Sequence, residues 1–202
     1  MSIADVAYLP EQPAHDPEIE HINAEAFGPG RFARAAYRIR EGGPHERALS
    51  FIAMHDGAVI ASVRMTRVAA GEGRALLLGP LAVRPDHKNM GIGRSLVRIA
   101  VEAAGRAGAP VVLLVGDEPY YGPLGFRKVR RGQLSMPRPV DLDRILAVEL
   151  QPGALAALEG MVDHEDRVLP PRRLSAPLAV PHGAECKQQQ GEPEEAGEHR
   201  YA

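Results

Sequence analysis

The chain has 202 residues, 45% of them apolar, which is enough to bury a sizeable core and excludes disorder along its full length. Lys and Arg total 24 and Asp and Glu 26, so the net charge of −2 argues against a dedicated binder of nucleic acid or membrane surface, which needs a basic excess. A lone cysteine, Cys186, cannot build a disulfide scaffold, and an N-terminus with Asp5 and no long apolar run does not read as a signal peptide. The expectation is a soluble cytoplasmic protein.

In chain order, Val6 to Leu9 reads as a short strand. His15 to Phe27 and Arg31 to Arg40 read as helices, with Ile19, Ile22, Ala26 and Phe27 at helical spacing. Two β-rich runs, Ala48 to Met54 and Ala58 to Val68, flank Asp56-Gly57, a pair suited to the positive φ angles of a tight hairpin turn. Arg74 to Val83 is a further strand. Pro80 inside it cannot donate to a ladder, so a bulge or break is expected there. Gly91 to Ala107 is a helix with Leu96, Ile99, Ala100 and Ala103 facing inward, closed by Gly105 and Gly108. The all-apolar run Pro110 to Val115 suits a strand buried on both faces. Pro119 to Leu124 reads as a short helix, Phe126 to Val129 as a strand, and Ile145 to Leu150 as the last strand. The order predicts an α/β fold with a mixed sheet, antiparallel in its first half. From Pro170 the composition turns to Pro, Gln, Glu and Gly, and Glu185 to the end carries five acids against two bases. Residues 1–169 are therefore expected to form the domain, and 170–202 a mobile tail or a strip ordered by a partner.

Two stretches carry chemistry. Gly79 to Gly93 reads GPLAVRPDHKNMGIG: a strand end, a loop, and two glycines, Gly91 and Gly93, opening a helix. The first N–H groups of a helix lack intrahelical acceptors and carry the positive end of the dipole, so this is an anion site in form. Lys88 and Arg94 add charge. The dinucleotide fingerprint fails because its last position is Leu96, and no P-loop occurs. A glycine-rich helix start without a ligand is the plain alternative. Gly116 to Phe126, GDEPYYGPLGF, follows the buried strand, at the end of the sheet where ligands bind in open α/β folds. Tyr120 and Tyr121 stand there together; either could donate a proton, or both could be packing aromatics.

Taken together, PLAVRPDHKNMGIGRSLV and YYGPLGF resemble the GNAT superfamily of acyl-CoA-dependent N-acyltransferases, whose acyl-CoA motif is Arg or Gln-x-x-Gly-x-Gly or Ala. AFGPGRFARAAYRIREG and AVELQPGAL extend the likeness to most of residues 15–160 and look like the YhbS-like branch. Lys88 departs from the first motif position, and Asn89 and Met90 replace commoner small or basic residues. The resemblance implies a sheet of six to seven strands with about four flanking helices, in which strands 75–83 and 110–115 are parallel and splay apart around the pantetheine arm. It implies that Leu81, Ala82 and Val83 offer backbone groups to the pantetheine amides. It implies that Lys88, Asn89, Met90, Gly91, Ile92, Gly93 and Arg94 surround the pyrophosphate, mainly through backbone N–H groups.

By the same resemblance, acetyl-CoA is the acyl-donor cosubstrate, no metal is used, and Tyr121 is the proton donor to the leaving thiolate. The amine's proton has no clear destination. Asp117 and Glu118 lie at the mouth of the V, and Asp117 either meets the amine or caps the following short helix. The acceptor, a small-molecule or protein amine, is expected against residues 15–41 and roughly 130–144, where Arg130, Arg131, Met136 and Asp141 form no recognisable code. A monomer or homodimer with no DNA or membrane partner is expected.

The cluster Asp163-His164-Glu165-Asp166 reads as a solvated loop rather than a metal site, because consecutive residues point in different directions. Ser95 and Ser135 lack a nucleophile elbow. The competing function is an acyl-CoA-binding sensor without turnover, and a tRNA-directed acetyltransferase is weakened by the neutral charge balance.

Overall fold

In the computed structural model, which describes residues 5–33 and 35–169, the elements in chain order are β1 (Ala7–Pro10), α1 (Asp16–Phe27), α2 (Ala35–Arg40), β2 (Phe51–His55), β3 (Ala58–Gly71), β4 (Gly73–Val83), α3 (Ile92–Arg106), β5 (Val111–Val115), α4 (Glu118–Tyr121), β6 (Arg127–Lys128), β7 (Leu134–Ser135), β8 (Ile145–Glu149), β9 (Leu158–His164) and α5 (Glu165–Val168). The main path through the sheet runs β1-β2-β3-β4-β5-β8-β6, with β9 joining the second half of β3 and β7 pairing β9. The neighbours from β1 to β4 are antiparallel, as the patterning predicts. The hairpin between β2 and β3 turns on Asp56 (φ +49°) and Gly57 (φ +77°). The expected tail, 170–202, lies outside the described residues.

β4 positions the site. Its partner β3 steps from Val63 to Met65 while β4 steps from Leu81 to Leu78, so β4 carries one extra residue across Gly79 and Pro80. This is the bulge that Pro80 forecast. An extra residue reverses which parity faces which side. Leu76 and Leu78 pack with α3, and beyond the bulge Leu81 and Val83 take over that face; Ala75, Leu77 and then Ala82 line the other. β5 alternates likewise, Val112 and Leu114 toward α3, Val111 and Leu113 away, so an unbroken apolar run is buried on both faces.

β4 and β5 are parallel but register at only two positions, Leu76↔Val112 and Leu77↔Leu113. Beyond them β4 continues to Val83 and β5 to Val115 without pairing to each other, which is the splay the resemblance implied. α3 is amphipathic: Ile92, Leu96, Val97, Ala100 and Ala104 are buried against the β-sheet, while Ile99 is only half-buried. Gly105 lies inside the helix; Gly108, with φ +77°, follows its end.

The expected mixed sheet with its parallel pair is present; among the described residues there are nine strands and five α-helices, β7, β9 and the short α5 being additions to the elements expected. β9 escapes notice because its burial does not alternate. It takes five steps (158 to 163) against the two steps from Gly71 to Ala69, arching at Gly160 (φ +89°). The helix expected over 31–40 is a 3-10 turn, Pro29–Ala33, followed by the short α2.

α1 is tied to the sheet by a buried ionic cluster. The Glu11 carboxylate, 2% exposed as a residue, accepts from Arg64 Nε and Nη2 (3.0 Å each), Arg47 Nη1 (2.7 Å) and His45 Nε2 (2.8 Å). Arg64 on β3 also reaches Asp16 (2.7 Å) and Glu20 (3.1 Å) on α1. Burial pushes the Glu11 carboxyl up, but hydrogen bonds and charge from His45 and Arg64 more than offset this and hold it down at about 2. A carboxyl below its unfolded value stabilises the fold above pH about 4.5 and loses that contribution as pH falls through about 2; the shift corresponds to roughly 3 kcal/mol. Glu11→Gln is therefore expected to lower unfolding free energy by about that much at pH 7, with the gap from the parent shrinking below pH 4, measured by urea denaturation across pH.

Candidate active site

The loop from Arg84 to Gly91 turns the chain from β4 into α3. Asn89 (φ +63°) and Gly91 (φ +79°) both take left-handed geometry, and alternation of this kind aims successive backbone N–H groups toward one point. Asn is among the few residues that accept that geometry without glycine's freedom. The first helical bond closes from Ser95 N–H to the Gly91 carbonyl (3.0 Å), so the N–H groups of Ile92, Gly93 and Arg94 have no acceptor four residues back. No Cβ on Gly91 would meet any atom within 4 Å, so the space above it is open.

These groups line a groove of about 750 Å³. Of the sequence-predicted set, Leu81, Ala82, Val83, Lys88, Asn89, Gly91, Ile92, Gly93, Arg94, Asp117 and Tyr121 all border it. Met90 does not: it packs on the main core. Tyr120, His87 and Phe27 join the lining. A Cβ on Gly93 would stand 2.7 Å from the Tyr120 hydroxyl, and the Arg94 guanidinium lies 5.3 Å from the Tyr120 ring centroid, so Tyr120 is a wall of the groove at the start of α3.

Tyr121 comes from α4, directly after β5. Its ring packs edge-on to Tyr120 (4.8 Å between centroids) and Phe126 (5.9 Å). Burial, with added repulsion from Tyr120 and Asp117, pushes its hydroxyl up to about 12, so it stays protonated at neutral pH. The ring has room only because residue 116 is glycine: a Cβ there would fall inside the ring edge and 3.0 Å from Leu114 Cδ1. Gly116→Ala is accordingly expected to displace Tyr121 and cost about 1–3 kcal/mol of stability, read as a lower melting temperature together with loss of turnover. Sequence analysis missed Gly116 because a close approach of this kind is visible only in three dimensions.

Asp117 occupies the cap position of α4, yet its side chain makes no capping bond. Its carboxylate instead pairs with Arg144, at 3.1 Å to Nε and 3.4 Å to Nη2. Glu118 pairs with Lys128 (3.3 Å).

On the other side of Tyr121 lies a second cavity of about 580 Å³, bounded by α1, the 3-10 turn after it, α2, the β4 bulge and the loop at Pro139 to Arg144. Phe27, Leu81, Asp117 and Tyr121 line both cavities, so the hydroxyl-bearing residue stands where they meet. Asp141 lines the second cavity, but Arg131 is paired with Asp143 (2.9 Å), Arg130 is exposed and Met136 is in the core. Arg40, Arg31, Arg144 and Asn23 line it without having been singled out from sequence.

His164 is buried rather than in a solvated loop: its ring faces Pro44 O (3.3 Å) and takes the Asp166 N–H (3.3 Å). No group of three or more His, Cys, Asp or Glu among the described residues is placed to hold a metal, and no helix among them is long and apolar enough to cross a membrane.

Residues 17–126 match the model of the acetyltransferase (GNAT) family. The chain is 31% identical over 113 residues to the uncharacterized N-acetyltransferase YjhQ of Escherichia coli (strain K12), a match covering 54% of this chain and 62% of that protein, less than two thirds of its length. Among solved structures, the GNAT N-acetyltransferase YhbS from Escherichia coli in complex with CoA superposes with a TM-score of 0.68 at 23% identity, covering 79% of this chain and 89% of that one. A GNAT acetyltransferase from Brucella melitensis in complex with acetyl-CoA gives 0.54 at 24%, covering 73% and 89%. At these identities the structural likeness is one of fold.

Proposed function

The chain belongs to the acetyltransferase (GNAT) family, and on that premise we propose that it transfers an acetyl group from acetyl-CoA directly to a primary amine of a small acceptor. The observation that carries this reading is the meeting of two cavities at Tyr121, one with a helix-start amide cradle and one lined by polar side chains. The groove fits the donor: free N–H groups at the start of α3, Lys88 and Arg94 suit a pyrophosphate, and the end of β4 from Leu81 to Val83, paired with β3 on one side but not with β5 on the other, offers the backbone groups of that open edge to amides of an extended arm. When bound, the donor supplies an acyl thioester.

The chain's own residues then have three tasks. The second cavity orients the amine, an alkyl ammonium of pKa about 10.4 that must lose a proton before attack. Asp117, fixed by Arg144, is the acid that lines both cavities and draws the ammonium toward the junction. Because Asp117 is already shared with a guanidinium, the proton leaves by water rather than residing on it. Tyr121 gives its proton to the departing sulfur, whose conjugate thiol has a pKa near 8.5, as the C–N bond replaces the C–S bond. Residues 1–169 are the catalytic unit in this reading, a monomer or homodimer in the cytoplasm.

Calorimetric titration with acetyl-CoA and a thiol-release assay across an amine panel test it. Saturable binding followed by amine-dependent CoA release is expected. Binding with no release from any amine would instead make the chain an acyl-CoA sensor, and no binding at millimolar acetyl-CoA would dispose of both.

A further inference from the structure

We propose that the second cavity selects amines that also bear a compact oxyanion, a carboxylate or a phosphate, held by Arg40 and Arg31 while the amine faces Tyr121. This rests on the transferase reading above and adds a substrate class to it.

The charges lining the cavity divide into committed and uncommitted. Arg64 is taken up by Glu11, Asp16 and Glu20, and Arg144 by Asp117. Arg40 and Arg31 have no carboxylate within ion-pair distance among the described residues. Arg40 Nη1 donates to the Gly79 carbonyl in the β4 bulge (3.2 Å), and its guanidinium lies 5.7 Å from the Tyr37 ring centroid. Arg31 Nη1 donates to the Gly28 carbonyl (3.1 Å), while its Nε–H is buried with no acceptor among the described residues. Asn23, only 4% exposed, lines the same cavity and its Oδ1 is likewise buried without a partner. Buried polar atoms left unpaired cost free energy, and these two are groups that a ligand entering the cavity can satisfy.

Arg40 remains cationic at neutral pH although burial, and then the charge of Arg64, pull it down to about 10 against the opposing pull of Glu20 and Tyr37. A planar guanidinium takes a carboxylate or phosphate through two parallel N–H···O bonds. A second ammonium placed beside it would meet like charge. A volume of about 580 Å³ suits a small molecule.

The test measures binding to CoA-saturated protein, so turnover is not required. The ligands are glycine, β-alanine and 4-aminobutyrate, their amides, 2-aminoethyl phosphate and butylamine; the proteins are the parent, Arg40→Gln, Arg31→Gln and Arg40→Lys. At least one oxyanion-bearing amine should bind about ten- to a hundredfold more tightly than its neutral counterpart, with the gap collapsing in Arg40→Gln and the Kd for acetyl-CoA unchanged. Comparing the carboxylates with the phosphate identifies the oxyanion. If Arg40→Gln does not fold, as circular dichroism would show, Arg31→Gln and Arg40→Lys carry the comparison, the latter keeping charge but losing the fork. Equal or tighter binding of the neutral amines, a gap that survives in these variants, or no binding of any oxyanion-bearing amine overturns the proposal. Thiol release with butylamine alone would defeat the oxyanion site and leave the transferase standing; Arg40-dependent binding without thiol release from acetyl-CoA would do the reverse.

Discussion

Tyr121→Phe should lower turnover by about a hundred- to ten-thousandfold, the range a positioned general acid contributes, while the Kd for acetyl-CoA stays the same. The substitution removes one oxygen and leaves the ring, so the edge-on contacts with Tyr120 and Phe126 and the seat over Gly116 persist. Any loss is then a loss of the proton and not of packing. The pH profile gives an independent check. With the hydroxyl pushed up to about 12, the parent enzyme should show no falling alkaline limb from this group below about pH 10. Parent-like turnover in the variant, measured by CoA release at saturating substrates, would remove Tyr121 from the chemistry.

The second large effect is of the opposite kind. Gly91→Val is expected to raise the Kd for acetyl-CoA by about ten- to a hundredfold, with the larger share of lost efficiency in the donor's KM. Two causes act together. A β-branched residue at φ +79° is strained, which distorts the start of α3 and its free amides, at about 1–2 kcal/mol or more. Its side chain would also enter the open space of the groove. Gly91→Asn separates these, since Asn tolerates the left-handed backbone but still occupies the space. Isothermal titration of acetyl-CoA into the three proteins reads both contributions, and unchanged affinity in both variants would mean that the donor does not sit on this helix start.

The groove was legible because its determinants are contiguous. Gly79 to Gly93 places a bulge, a turn and a helix start within one loop, and each is set by local backbone rules: Pro80 cannot donate, Gly91 can be left-handed, and the first amides of a helix have nowhere to bond. Asn89 belongs to the same cradle, yet it read as a departure from the family pattern, because a positive φ at a non-glycine residue is not written in sequence. The second cavity was legible only as a region. Asn23, Arg40 and Arg144 come from separate segments, and their roles depend on which guanidinium finds a carboxylate and which does not. Arg64 and Glu11, 53 residues apart, show the same rule in the core. β9 was lost for a related reason: its side chains follow an arch over β3 and not the alternation that marks an independent strand.

By itself, then, the order of residues determined the alternation of strands and helices, the antiparallel first half of the sheet, the double-sided burial of β5 and the helix-start cradle, all properties of short-range periodicity and backbone geometry. Only the tertiary structure decided that Asp117 bonds Arg144 instead of capping α4, that Gly116 makes room for the Tyr121 ring, and that Arg40 and Arg31 share a cavity with no ion-pair partner among the described residues. Those outcomes depend on distances between segments remote in the chain, where electrostatic pairing and steric exclusion act on whatever the fold brings within a few ångströms.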